Sequence, residues 1–123
     1  MPSFERAIPV LRIFDLAKAK EFYVGFLGMA WDWEHRSAPD LPVFAQVSRG
    51  ELMLFLSEHH RDGTPGTKLM LRMRGLDDFR AALLATSYRH VRPGIEPRPW
   101  GWRDMEIADP FGNHLVFTEP CDA

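Results

Sequence analysis

Leu11-Arg12-Ile13-Phe14-Asp15-Leu16 and Leu71-Arg72-Met73-Arg74-Gly75-Leu76 stand at a constant offset of sixty residues. The first closes an apolar run, Ile8 to Ile13 with Arg12 interrupting it, that reads as a strand; the second closes a similar run from Lys68 to Met73. Each leads into helical spacing. After Asp15, an N-cap whose carboxylate can accept from free backbone N–H groups, the residues Leu16, Ala19, Phe22, Tyr23, Phe26 and Leu27 recur every three or four positions. That spacing predicts an amphipathic helix, and Gly28 stands where a left-handed C-cap belongs. After Gly75, the residues Leu76, Phe79, Leu83 and Leu84 mark a second helix. Asp77 and Asp78 lie in its first turn, where the helix dipole favours acids.

Outward from this repeat, both halves continue alike. In the first, Trp31-Asp32-Trp33 leads into a loop containing Pro39 and Pro42; Val43 to Ser48 and Leu52 to Ser57 then read as strands joined at Arg49-Gly50. Glu58 to Thr67, with Gly63, Pro65 and Gly66, is a polar linker and the natural midpoint. In the second half, Tyr88 to Val91 reads as a short strand, and a passage with Pro93, Pro97 and Pro99 leads to Trp100-Gly101-Trp102. Arg103 to Ala108 and His114 to Thr118 are the last strands, joined by Asp109-Pro110-Phe111-Gly112-Asn113, whose proline and glycine suit a tight turn. Each half is therefore strand, helix, then about three strands. The expectation is one internally repeated α+β domain over residues 1–123, its modules spanning about 5–57 and 68–119.

Composition narrows the function classes. The chain has 123 residues, 46% of them hydrophobic, enough to build one core. Its net charge is −2, with no basic excess of the kind nucleic-acid binders gather on one face. No apolar stretch approaches the roughly 20 residues of a membrane span, and no signal peptide is evident at the start. Cys121 is the only cysteine, so no intrachain disulfide forms, and the expected setting is cytoplasmic. Near the C-terminus it has little to activate it as a nucleophile. Gly63-Thr64-Pro65-Gly66 lacks the Lys-Ser/Thr of a phosphate-binding loop, and no serine sits in a nucleophile elbow. His59 and His60 are adjacent within the linker, where a solvated loop accounts for them; a metal or proton-transfer role is the alternative. His35, His90 and His114 read as surface residues.

Two blocks resemble a known family. One is Ile8-Pro9-Val10-Leu11 with Asp15-Leu16, Glu21-Phe22-Tyr23 and Leu27-Gly28; the other is Pro99-Trp100-Gly101 followed by Asp109-Pro110-x-Gly112-Asn113. Over residues 7 to 119 they resemble the glyoxalase / bleomycin-resistance / dioxygenase superfamily, the vicinal oxygen chelate proteins, and within it the bleomycin-resistance proteins most closely. The resemblance implies two βαβββ modules whose sheets curve around a cleft. In the family's enzymes that cleft holds a divalent metal on four strand side chains. The matching positions here are Ile8, Phe55, Lys68 and Val116, which supply no convergent oxygen or nitrogen donors. The expectation is therefore a site without metal or cofactor.

What remains is a binding reading. Trp33, Phe44 and Trp100 match positions where the bleomycin-resistance proteins carry aromatic residues around a planar ligand; Asp32 matches an acidic position and Ser57 a small polar one. Flat π surfaces stack on planar rings and attract cations. Within a strand, Trp31 would share a face with Trp33, and Trp100 with Trp102. Arg36, Arg61, Arg98 and Arg103 lie near the presumed loops and leave room for an anionic or neutral ligand. The resemblance also implies a homodimer, Pro9 matching the segment that dimeric members exchange. The resulting expectation is a non-catalytic protein that sequesters a small molecule, in the bleomycin-resistance manner a glycopeptide antibiotic. The alternatives are a lyase, isomerase or dioxygenase-like enzyme with atypical or no metal ligands, and a partner-binding module.

Overall fold

The computed structural model describes residues 1–121. Eight strands and two helices fall into two modules of the same plan. The first comprises β1 (Val10–Arg12), α1 (Leu16–Lys20, continuing through Glu21–Phe26), β2 (Ala30–His35), β3 (Phe44–Arg49) and β4 (Leu52–Ser57). The second comprises β5 (Lys68–Arg72), α2 (Leu76–Leu84), β6 (Glu96–Pro97), β7 (Trp102–Ala108) and β8 (His114–Pro120). Each forms a four-stranded sheet, in the orders β1-β4-β3-β2 and β5-β8-β7-β6. The first strand pairs parallel to the last and the others pair antiparallel. This is the α+β arrangement of two βαβββ modules that the offset of sixty predicts.

The core is continuous across both modules. Leu11, Leu54 and Leu56 of the first sheet and Met105, Ile107, Leu115 and Phe117 of the second join Phe22, Tyr23 and Phe26 of α1 and Leu76 and Leu83 of α2. Strand alternation makes this possible: each strand sends every second side chain inward and leaves the others on the opposite face.

The expected first helix differs from a uniform α-helix. Asp15 caps it as predicted, accepting from Lys18 N at 2.9 Å, but residues Glu21–Phe26 are wound as a π-helix. Leu27 N bonds back to Phe22 O and Met29 N to Tyr23 O, each at 2.9 Å. The wider turn keeps the adjacent bulky pairs Phe22-Tyr23 and Phe26-Leu27 all inside. Gly28 then ends the helix at φ 72, the left-handed conformation glycine adopts without a Cβ clash.

The second helix solves its N-terminus differently. Gly75 stands where the repeat has Asp15 and offers no side chain. Glu119 on β8 takes over, its carboxylate accepting from Gly75 N at 3.0 Å and Leu76 N at 3.2 Å. Arg103 lies between Glu119 and Asp77, at 3.5 Å and 2.6 Å.

The strand expected at Tyr88 to Val91 is absent. Tyr88 instead packs its ring on Phe22 and Phe26 at 5.8 Å and 4.8 Å. The chain around it is held by side chains, Arg80 Nε donating to Pro93 O at 2.8 Å and Arg92 Nη1 to Leu84 O at 3.1 Å. The added strand is β6, further on. Pro9 precedes β1, a sheet edge, and its carbonyl accepts from Phe55 N at 2.9 Å, a role that needs no proline N–H.

The modules are locked where the Asp109–Asn113 turn meets α1 and β1. Tyr23, fully buried, donates its hydroxyl to Asp109 Oδ2 at 2.6 Å. Asp109 also accepts from Phe111 N at 2.9 Å and from Asn113 N and Nδ2 at 2.8 Å each. Asn113 Nδ2 reaches Arg12 O at 2.9 Å as well. Burial, then the adjacent Asp109 charge and the hydrogen bond to it, push the Tyr23 phenol well above its ordinary pKa.

Candidate ligand-binding site

The first sheet faces away from the core with rings. Ala45, Val47, Leu54 and Leu56 point inward, so Phe44, Gln46 and Phe55 point outward. A β-bulge adds Trp33 to them. Trp31 pairs with Val47 and Trp33 with Gln46, which leaves Asp32 as the extra residue. The inserted residue reverses the alternation, so the expectation that Trp31 and Trp33 share a face is overturned. Trp31 packs against the core, with its Nε1 donating to Glu34 Oε1 at 3.0 Å.

On the outward face, Trp33 stacks on Phe44 with centroids 6.2 Å apart and planes at 22°. Phe55 completes the cluster, 5.9 Å from Trp33 and 5.0 Å from Phe44. Trp33 remains 42% exposed, presenting one π surface to solvent. Asp32 lies beside it and accepts from Gln46 Nε2 at 3.0 Å. Hydrogen bonds from Gln46, and next from Ser48, hold its carboxyl below the ordinary aspartate range, so it is anionic throughout the neutral range. An exposed indole beside a fixed negative charge suits a planar, cationic group.

Of the remaining expected site residues, Ser57 is opposite Phe44 in register and so on the same face, but it is fully buried. Its hydroxyl donates to Asp62 Oδ2 at 2.8 Å and accepts from His59 N at 3.1 Å, so it anchors the linker. His59 and His60 are exposed there. Trp100 occupies the turn before β7, 67% exposed, and among the described residues no ring contact joins it to Trp33. Trp102 lies inside β7 with Arg72 over its ring at 4.6 Å, while Gly101, at φ 86, breaks the extended chain between the two tryptophans. Within one chain the structure thus gathers Asp32, Trp33 and Phe44, with Ser57 buried next to Phe44 and Trp100 apart from them. Phe55 and Gln46 are members that sequence reasoning missed; their signal was the β3–β4 hairpin, whose register sets Gln46 against Phe55.

The second sheet's outward face is polar. Thr118 Oγ1 donates to buried Asp104 at 2.6 Å, and Arg98 Nε donates to the same carboxylate at 3.2 Å. Glu106 lies between Lys68 at 3.9 Å and His114 Nδ1 at 3.1 Å.

The fold's usual divalent metal does not fit these residues. Of the four matching positions, Phe55 is committed to the ring cluster, Val116 is buried and apolar, Ile8 is aliphatic, and Lys68 carries an ammonium facing Glu106. Among the described residues no group of three or more His, Cys, Asp or Glu side chains converges. No helix among them is long and apolar enough to cross a membrane.

Two βαβββ modules, one with an aromatic outward face on its sheet and one with a largely polar one, define the fold class of this protein. The family model described as glyoxalase superfamily protein matches residues 2–123, and the chain belongs to that superfamily. Among solved structures, a bleomycin-binding protein complexed with bleomycin superposes with TM-score 0.72 at 23% identity, over 94% of this chain and 98% of that one. A bleomycin resistance determinant encoded on the transposon Tn5 gives 0.73 at 23% identity, over 95% and 98%. A glyoxalase-related enzyme from Clostridium phytofermentans gives 0.75 at 18% identity, over 97% of each chain. At these identities the likeness establishes the shared fold. No curated protein matches the sequence.

Proposed function

We propose that this protein binds and sequesters a planar, cationic small molecule, a bleomycin-class glycopeptide being the leading candidate, without transforming it. The observation that carries the reading is the exposed Trp33–Phe44–Phe55 cluster with the Asp32 carboxylate beside it. The arginines that would oppose a cation are largely engaged within the chain. Arg36 donates to Pro39 O and Leu41 O, Arg98 pairs with Asp104, and Arg103 with Asp77 and Glu119. The fold shared with a protein solved in complex with bleomycin is consistent with this ligand class.

The cleft is completed by a second copy of the chain, whose Trp100 turn and polar sheet close over the aromatic face. Supporting this, Phe4 is 98% exposed, and both β1 and β5 are edge strands. The single cysteine makes a reducing compartment, the cytoplasm, the natural place of action. The test is a tryptophan-fluorescence titration with bleomycin, with Trp33→Phe as the control, alongside expression in a sensitive host. Saturable quenching that depends on Trp33, together with resistance, supports the reading. No quenching at micromolar drug and no resistance rule this ligand out, and light scattering that finds only monomer removes the shared cleft.

The charged Lys68–Glu106–His114 cluster favours a second reading, an enzyme of the superfamily with atypical or no metal ligands. Elemental analysis discriminates: stoichiometric zinc, nickel, manganese or iron in the purified protein would select it.

A further inference from the structure

The two modules face each other so that each one's hairpin turn meets the strand-to-helix segment of the other. In the second module the turn holds five residues, Asp109 to Asn113, between the paired residues Ala108 and His114. It plugs the groove beside β1 and α1. Phe111 lies 6.2 Å from Phe14, Asp109 accepts from Tyr23, and Asn113 reaches Arg12 O. The first module's turn holds only two residues, Gly50 and Glu51, between Arg49 and Leu52. It is too short to plug the equivalent groove beside β5 and α2, and a cavity of about 740 Å³ remains there. Small-molecule sites occupy roughly 300–1,000 Å³.

The lining states what the cavity would hold. Its floor is apolar, with Leu52, Phe79 and Phe117. At the offset of sixty, Arg74 takes the place of Phe14; it lines the cavity, is exposed, and forms no ion pair among the described residues. Arg49 enters from the opposite side, anchored by donation to Leu27 O at 2.8 Å and lying 5.2 Å from the Phe79 centroid, also without an ion-pair partner among the described residues. Arg72 borders the cavity too, but its guanidinium is spent on the Trp102 ring at 4.6 Å, so Arg49 and Arg74 are the cations available there, with Glu51 and Asp78 as the carboxylates of the lining. What fills the first groove is a ring and a carboxylate supplied by one turn.

We propose that the second groove takes the same pair from solution: a small aromatic carboxylate, its ring on the apolar floor and its carboxylate between Arg49 and Arg74. Guanidinium groups pair with carboxylates in a planar fork and also lie against aromatic faces. This site shares no residue with the Trp33 cluster and does not depend on the function proposed for it.

The experiment is a calorimetric titration of the intact chain with three compounds sharing one ring: 1-naphthaleneacetate, its neutral amide, and 1-naphthylmethylammonium. The acid is expected to bind saturably at one site per chain, at least tenfold tighter than the amide, and the ammonium not at all. Arg74→Ala and Ala82→Trp should each weaken the acid tenfold or more; Ala82 is an exposed α2 residue lining the cavity, so the added indole fills it without entering the core. Trp33→Ala should leave the affinity unchanged. The proposal is overturned if the acid and amide bind alike, if no saturable binding occurs up to millimolar acid, or if Ala82→Trp leaves the affinity intact. Loss of binding in Trp33→Ala would overturn it too, by assigning the ligand to the aromatic face.

Discussion

Asp109→Ala removes the group on which the junction between the modules converges. Four donors meet this carboxylate at 2.6–2.9 Å: the Tyr23 hydroxyl, the Phe111 and Asn113 amides, and Asn113 Nδ2. Asp109 is only 6% exposed, and Tyr23 and Asn113 are fully buried. Hydrogen bonds to a charged group contribute roughly 1.5–3 kcal/mol each, and a buried donor left unpaired costs about 1–3 kcal/mol. The four are not additive. Counting only the Tyr23 hydroxyl and Asn113 Nδ2 as stranded gives a loss of about 3–5 kcal/mol, a large share of a small domain's stability. Urea denaturation reads it as a lower midpoint at unchanged slope. Tyr23→Phe alone removes one donor and should cost about 1–2 kcal/mol. Because the two residues share one bond, the double variant should fall short of the sum by about 1 kcal/mol or more. A loss below about 1 kcal/mol in Asp109→Ala, or additivity within about 0.5 kcal/mol, would refute the account.

Other expectations follow from the same structure. Tyr23 keeps its proton in the folded state well above its ordinary value of 10.0. Its contribution is therefore complete below about pH 10 and is lost as pH rises, because only the unfolded phenol ionises there; urea midpoints between pH 8 and 11 should fall less steeply in Tyr23→Phe. Glu119→Ala strands the Gly75 and Leu76 amides and should cost about 2 kcal/mol by thermal or urea unfolding. Gly28→Ala places a Cβ at φ 72 and 3.1 Å from Arg49 Nη1, for an expected loss of about 1–2 kcal/mol in the same assay. If the aromatic face binds a planar cation, Trp33→Ala should weaken it roughly tenfold, about 1.4 kcal/mol; because the Asp32 carboxyl is held below the ordinary aspartate value of 3.8, its contribution should be the same at pH 7 and at pH 4, where an ordinary aspartate is already partly protonated, checked by titration at both.

The repeat at offset sixty, the helix starts at Asp15 and Leu76, and the Arg49-Gly50 and Asp109–Asn113 turns were all legible in the chain. They rest on local physics: apolar periodicity, capping, and backbone freedom at glycine. The absence of donors at Ile8, Phe55, Lys68 and Val116 was also visible, because side-chain chemistry does not depend on the fold once positions are matched. Only the tertiary structure decided the rest. It placed a bulge at Asp32, which separates Trp31 from Trp33, because a bulge is a mismatch between two strands and neither carries it alone. It assigned Ser57 to the linker through Asp62, and Glu119 to a helix that begins 43 residues earlier. It also set a long turn against one groove and a short turn against the other, and whether a groove is filled depends on segments that pack only after the modules meet.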